Sequence, residues 1–373
     1  MSFVEKFSIL KDPRSEINQR HDLLDILFLA GTAVMSGAEG WKDIKDFGEE
    51  KLDWLRQYRD FKHGIPADDT IARVISALDS EQFTLCFVNW VNELRSKDGR
   101  EQIAIDGKTL RRSYTGDRTT ALHSITAWSK QNGLVLAQMR SSGKANEKAS
   151  VLEMLELLEL KGAIVTADAM NTEKKIAKKI HDKGGDYVLC VKNNHKKLLN
   201  EIKDYFHIME RDHRELWSQN YFEEVDAGHG RIETRTCRQI AISPWIEGSA
   251  EWQGLQTVLE VTRTREIKEK ISTEVQYYIS SLPLDPKQIA NAIREHWAVE
   301  NKAHWVLDVT YKEDDSRIRR DNAAENLALL RRFALNLARL HPQKNSMKGK
   351  LKKAMWSDKF RSELLVGQIQ GKV

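Results

Sequence analysis

Gln102-Ile103-Ala104-Ile105-Asp106-Gly107-Lys108-Thr109-Leu110 reads as an apolar strand whose end is an acid, followed by a glycine that opens the backbone. A sheet exposes its strand ends to ligands, so a carboxylate there can reach a metal ion while the residues before it stay in the core. A plain turn aspartate would look the same. Ile164-Val165-Thr166-Ala167-Asp168-Ala169 repeats the arrangement. If the two strands are neighbours in one sheet, both carboxylates leave at the same edge, close enough to share a hard divalent cation.

Working outward, LHSITAW (122–128) and LVLAQMR (134–140) are strands, with Gln131-Asn132-Gly133 as the hairpin turn between them. A helix over Glu147 to Leu160, the strand GAIVTADA, a helix over Glu173 to Lys183 and the strand DYVLCVK (186–192) follow. Three strands, helix, strand, helix, strand is the element order of a ribonuclease-H-like fold. On the N-terminal side, DLLDILFLAGTAVMS (22–36) is apolar nearly all round a helical wheel and belongs inside a helical domain. A helix over Trp41 to Arg59 ends at Gly64-Ile65-Pro66. Asp68 and Asp69 then cap a helix through Leu78, and Asp79-Ser80 caps another carrying Phe83, Phe87, Trp90, Val91 and Leu94. That pair is either a helix-turn-helix or part of an ordinary bundle.

Beyond a helix over Lys197 to Arg211, residues 220–282 turn β-rich, with RIETRTCRQIAI, LQTVLEVTRTREI and EVQYYISSL as three strands. Asp285-Pro286 starts a helix running through REHWAVENKAHWVL, and another covers Ala323 to Leu340. Lys344 to Lys353 holds five lysines and no acid, which reads as a solvated or disordered basic tail or one lying along phosphates. The expected layout is α/β: an all-α N-terminal DNA-binding domain (1–98), a ribonuclease-H-like catalytic domain (99–200 and 284–345), a β-rich insertion (201–283) and a basic C-terminal tail (346–373).

A third acid sits in the later helix. Ile289, Ile293, Trp297 and His304 mark one face at spacings of three and four, and Glu300 lies on it. A charge on an apolar face is costly unless paired, for instance with Arg294 or Arg331, or bound to metal. Trp41, Trp297 and Trp305 are assigned to the core. Phosphodiester cleavage needs an activated water or 3′-hydroxyl and neutralisation of the leaving oxygen; two Mg²⁺ ions on carboxylates supply both, and Mn²⁺ can substitute. No GxSxG, GxxxxGK[ST] or HExxH motif points to another chemistry.

At 373 residues with 40% apolar content the chain can bury a large core. Its 59 basic against 55 acidic residues leave a net charge of only +4, so anionic partners must meet local patches. Three cysteines without close spacing argue against a disulfide framework or zinc finger, and no early apolar run suits a secretory signal or membrane span. A cytoplasmic, nucleoid-associated protein is expected.

These residues also resemble a known group, the H-repeat-associated transposases of bacterial insertion sequences within the DDE superfamily. The similarity spans nearly the whole chain: HDLLDILFLAGTAVMSGAEGWKDIKDFG (21–48), GIPADDTIARV (64–74), AIDGKTLR (104–111), GAIVTADAM (162–170), GGDYVLCVKNN (184–194), GHGRIETR (228–235), REHWAVENKAHWVLDVTYKEDDSRIR (294–319) and NAAENLALLRR (322–332). The resemblance implies a metal-binding trio at Asp106, Asp168 and Glu300, the same acids the strand and helix readings select. It also implies a ribonuclease-H-like core with a helical N-terminal domain and a β-rich insertion. Ile293, His296 and Leu307 stand where the wider superfamily often has Tyr, Arg and Lys, leaving His296, Asn301, Lys302 and His304 as substitutes.

Candidate DNA contacts are Lys108, Arg111 and Arg112 beside the first acid, Lys192 and Asn194 after the fifth core strand, and His229 and Arg231 in Gly228-His229-Gly230-Arg231. The alternatives are solvated surface for Lys108, Arg111 and Arg112, a lysine-rich loop at a helix N-terminus for Lys192 and Asn194, and a structural histidine at His229. Arg317, Arg319 and Arg320 line the same groove or pair with Asp314 and Asp315. The expected activity is cleavage and strand transfer at the terminal inverted repeats of double-stranded DNA and into target DNA, by a homodimer or higher oligomer. Alternatives are a catalytically silent DNA-binding relative and a structure-specific nuclease such as a junction resolvase.

Overall fold

The computed structural model describes residues 3–96, 99–114, 116–141, 146–228, 230–268 and 270–366. The N-terminal part holds helices α1 (Phe3–Phe7), α2 (Leu23–Met35), α3 (Trp41–Glu50), α4 (Leu52–Leu55), α5 (Asp68–Ala77) and α6 (Ser80–Leu94). Asp22 caps α2 by accepting from the Leu24 and Asp25 amides, and every residue of α2 except Leu24 is buried, as its all-round apolarity requires. Asp79 caps α6, but Asp68 and Asp69 fall in the first turn of α5, behind an Ala67 cap. The apolar face of α6 packs on the sheet and on a C-terminal helix, with Trp90 4.5 Å from the Phe333 ring.

Strands β1 (Gln102–Thr109), β2 (His123–Ser129) and β3 (Leu134–Ser141) are followed by α7 (Glu147–Leu157), β4 (Ile164–Ala167), α8 (Lys174–Asp182) and β5 (Asp186–Val191), in the order expected. Then come α9 (Lys196–Asp212), α10 (Arg214–Gln219) and strands β6 (Tyr221–Gly228), β7 (Arg231–Ala241), β8 (Thr257–Ile267) and β9 (Lys270–Ser280). All join one nine-stranded sheet in the order β3-β2-β1-β4-β5-β9-β8-β7-β6. The β1–β4 and β4–β5 pairs are parallel; the others are antiparallel. The β-rich segment therefore extends the central sheet through β9, and it has a fourth strand, β6, that the sequence reading missed. Glu223, Glu224 and Asp226 obscure the apolar alternation of β6, as suits a sheet edge that must not recruit another strand.

Helices α11 (Pro286–His296), α12 (Trp305–Tyr311) and α13 (Ala323–Leu340) complete this part. Asp285 caps α11 by accepting from the Gln288 amide. Between α11 and α12 the backbone takes a π-helical course over Val299–His304. The apolar core runs continuously from Phe7 to Leu365, through α2, the sheet and α13. No helix of the described residues is long and apolar enough to cross a membrane.

The solvated tail expected beyond residue 346 is replaced by two packed helices, α14 (Met347–Trp356) and α15 (Asp358–Val366). Lys350 is buried and donates to the carbonyls of Ala338 and His341 at 2.7 and 2.9 Å, closing the end of α13. Arg361 is fully buried, donates to Ser36 Oγ at 3.1 Å and to Asp358 at 2.8 Å, and lies 4.6 Å from the Trp54 ring. Leu351, Ala354, Phe360, Leu364 and Leu365 supply the apolar side that the lysines hid. Phe360→Ala should accordingly cost about 3–5 kcal/mol in urea unfolding; a solvated tail would leave the midpoint unchanged.

Candidate metal centre and its surroundings

The pairing of β1 with β4 sets Gln102 beside Ile164, Ala104 beside Thr166 and Ile105 beside Ala167. Side chains alternate along a strand, so Gln102, Ala104 and Asp106 share a face with Ile164, Thr166 and Asp168. That face carries α11: Gln102 Nε2 donates to the Ala292 carbonyl at 2.5 Å, and Thr166 Oγ1 shares a hydrogen bond with His296 Nδ1 at 3.0 Å. The chain leaving α11 brings in Glu300. Asp106, Asp168 and Glu300 thus line one cavity of about 380 Å³, together with Lys192, His296 and Trp297.

Oxygens of Asp106 and Glu300 and a nitrogen of His304 lie within 4.8 Å of one another. His304 is buried; its Nδ1 donates to Glu300 Oε2 at 2.9 Å and lies 3.5 Å from Asp106 Oδ2, while its Nε2 has no hydrogen-bond partner among the described residues. Asp168 lies outside this tight trio on the same cavity wall, and its Oδ1 accepts from the Asn171 amide and from Asn171 Nδ2. Burial pushes Asp106 up to about 6, with the charges of Asp168 and Glu300 adding to it against His304 and the Gly107 amide. Burial also raises Asp168, assisted by Glu147; the hydrogen bond from His304 holds Glu300 below its ordinary value. Three carboxylates on one cavity, two of them reluctant to ionise, with an orphaned buried nitrogen beside them, fit a divalent cation.

Glu300 does not lie on the buried face expected for it. The π-helical turn shifts the wheel, so Val299, Ala303 and His304 point inward while Trp297 and Trp305, both assigned to the core, are 59% exposed. Glu300 is half-exposed and pairs with His304; Arg294 goes to Glu224 and Asp226, and Arg331 is buried elsewhere. Trp41 packs against the core as expected.

The candidate DNA contacts divide. Lys108 is nearly buried and is taken up by Asp308, by Glu313 at 3.2 Å and by Asp314 at 3.6 Å. It is a structural cation in this arrangement and not a free phosphate ligand. Glu313 also pairs with the buried Arg332 at 2.6 Å; burial opposes its ionisation, but Arg332, Lys108 and Arg331 outweigh it and hold the group down to about 2. Arg111 is 82% exposed near Asp314, Arg112 faces Asp315 at 3.5 Å, and Arg319 donates to the Arg112 carbonyl. Lys192 is exposed at the cavity, whereas Asn194 donates to the Ala169 carbonyl at 2.7 Å and braces the loop after Asp168. Half-buried His296 is pushed down to about 4 by burial, so at neutral pH it lines the cavity as a neutral ring and cannot attract phosphate as a cation. Asn301 is exposed and bonds back to the Trp297 carbonyl, and Arg231 is exposed near Glu233. His229 lies outside the described residues.

Sequence reasoning missed Glu147. This buried carboxylate, at the first turn of α7, accepts from Asn171 Nδ2 at 2.6 Å and lies 2.7 Å from His123 Nε2. Through Asn171 it is coupled to Asp168. Its strand-facing neighbour is Gly107, where a Cβ would come within 2.7 Å of His123 Nε2 and 3.0 Å of Glu147 Oε1. That close approach explains the glycine after Asp106. In sequence, Glu147 looks like any first-turn acid.

The chain matches the family described as Transposase DDE domain over residues 97–337 and that described as DDE_Tnp_1-associated over residues 4–91. It is 42% identical over 370 residues to "Putative transposase YncI" of Escherichia coli O157:H7, covering 98% of this chain and 94% of that protein. It is likewise 42% identical over 371 residues to "H repeat-associated putative transposase YhhI" of Escherichia coli strain K12, covering 98% and 97%. Among solved structures it is similar to a piggyBac transposase synaptic complex with hairpin DNA, at 12% identity and TM-score 0.43, covering 96% of this chain and 76% of that one. That likeness is too distant to bear on fold or function.

The raised Asp106 sets a pH dependence. Its folded value of about 6 exceeds the ordinary 3.8, so ionisation costs stability that falls away progressively as pH rises from 3.8 through 6. In metal-free protein, Asp106→Asn should therefore be more stable than wild type by roughly 1–3 kcal/mol at pH 7.5 and equal to it below pH 3.8. Thermal melts across that range would show it, and a constant difference at all pH values would refute it.

Proposed function

The chain belongs to the transposase DDE domain family, and from that premise we propose that it cleaves insertion-sequence ends and joins them to target DNA at Asp106, Asp168 and Glu300. The observation that carries this reading is the convergence of the three acids on one cavity from β1, β4 and the turn after α11. The β3-β2-β1-β4-β5 order, antiparallel then parallel, supports a ribonuclease-H-like core beneath it.

Asp106, Asp168 and Glu300 would hold two Mg²⁺ ions, with Mn²⁺ as a substitute. Such ions, when bound, activate the attacking water or 3′-hydroxyl and neutralise the leaving oxygen. His304 fixes the rotamer of Glu300, and Asn171 that of Asp168, so neither carboxylate has to be ordered when DNA arrives. Exposed Lys192 at the cavity and exposed Arg111 beyond the end of β1 meet phosphates. The helical N-terminal part recognises the terminal repeats, and a homodimer or higher oligomer brings two ends together.

The test is Mg²⁺-dependent nicking of DNA carrying the element's terminal repeats. Asp168→Ala should bind that DNA with wild-type affinity and lose cutting by at least a hundredfold, on the order of a lost metal ligand. Equal cutting by both proteins would sink the assignment.

A further inference from the structure

A second cavity of about 540 Å³ adjoins the acids, sharing Gln276, Tyr278, Ile293 and Trp297 with the first as common walls. Its floor is one face of β7 and β8. Alternation puts Arg231, Glu233 and Arg235 on that face of β7, and register sets Arg263 opposite Arg235 and Arg265 opposite Glu233. Like charges directly opposed across a ladder are destabilising unless something compensates them. Here Glu233, 1% exposed, accepts two hydrogen bonds from Arg263 at 2.9 and 3.1 Å and pairs with Arg235, with Arg265 at 3.5 Å and with Arg231 at 3.8 Å.

Arg231, Arg235, Arg263, Arg265 and Arg294 all line this cavity, against Glu224 and Glu274 on its walls and Glu233 beneath. Glu224 is shared between Arg294, on the opposite wall, and Arg235 at 3.8 Å; Asp226 pairs with Arg294, and Glu274 stands opposite Arg263 in the β8–β9 register, accepting from Gln276 Nε2 at 2.7 Å. Among the described residues, Arg235 Nη1 and Arg265 Nε have no hydrogen-bond acceptor, their ion-pair oxygens on Glu224 and Glu233 lying at 3.8 and 3.5 Å. The arrangement carries more guanidiniums than carboxylates and is already rigid, because Glu233 fixes the guanidinium planes from below. Such a preformed cluster suits phosphate, whose oxygens accept paired guanidinium donors.

We propose that this arginine-lined cavity binds the phosphodiester backbone of an unpaired stretch of the DNA strand whose neighbouring phosphate lies at the acids. The proposal rests on the transposase reading above. Two features select an unpaired strand over a duplex. At about 540 Å³ the cavity has the volume of a small-ligand pocket, room for single nucleotide units and not for a duplex. At the wall shared with the acids, Trp297 presents an exposed indole, a face on which a base can stack.

The experiment is metal-free binding of fluorescent deca-thymidylate by the full chain, read by anisotropy across a salt series. Arg265→Gln and, at the most exposed of the four around Glu233, Arg231→Gln should each bind about tenfold more weakly at 0.1 M salt and flatten the plot of log K against log salt by about 0.7 for each phosphate interaction removed. Arg211→Gln, which removes an exposed arginine on α9 outside the cavity, should behave as wild type. Unchanged melting temperatures would show that the variants fold. Wild-type slopes in both cavity variants would overturn the proposal, as would a loss seen only with a blunt duplex. Nicking by wild type alongside unchanged slopes would remove this cavity's role and leave the proposed function standing; flattened slopes in a chain that never nicks would do the reverse.

Discussion

Parallel strands in contact end at the same edge, and their side chains keep step. Because β1 and β4 run together in register, one face of both strands delivers Asp106 and Asp168 side by side where the backbone ladder stops. A slip of one residue would send one carboxylate to the face of α7 and leave the other toward α11. The cavity, the placement of α11 above it and the carboxylate that follows α11 all inherit from that pairing. The cost is electrostatic: acids confined to a half-buried edge repel one another, and the protein offsets this with the His304 imidazole beside Asp106 and Glu300 and with Asn171 on Asp168.

The surroundings are built to keep this crowding from spreading. Lys108, two residues beyond Asp106 on the same face, is tied to Asp308 and Glu313, and Glu313 is tied in turn to Arg332 on α13. This chain of alternating charges clamps the end of β1 to α12 and α13. On the other side, His123, Glu147 and Asn171 form a buried polar run that reaches Asp168. Each of the two strand-end acids is thus braced by its own network, and every link in those networks has an oppositely charged or hydrogen-bonding neighbour, which is what makes them tolerable in a low-dielectric interior.

How much of this was readable in advance depended on where the information lay. Asp106 and Asp168 announced themselves locally, since an acid at the end of an apolar run is unusual, and the core strands and helices around them carried clear periodicity. Glu300 was found by position but placed on the wrong side of its helix, because a wheel drawn at 3.6 residues per turn does not hold through the π-helical stretch at Val299–His304. Lys108 was misjudged because its partners stand two hundred residues away in sequence, and Glu147 because its neighbours come from three different elements. In the C-terminal helices the signal was present, in Leu351, Ala354, Phe360 and Leu364, but five lysines dominated the reading.

The grip of α15 on the N-terminal helices has a bearing on how the protein comes into being. Arg361 and Ser36 are separated by 325 residues, and Trp54 and Tyr58 both meet Ser362 through hydrogen bonds of 3.0 and 2.7 Å. Helices α2 and α4 therefore emerge from the ribosome long before the segment that completes their packing has been translated. Closing so wide a loop is entropically slow. Both helices must wait, partly uncovered, until α15 has been made, and a chain cut short before Asp358 would leave them without their cover.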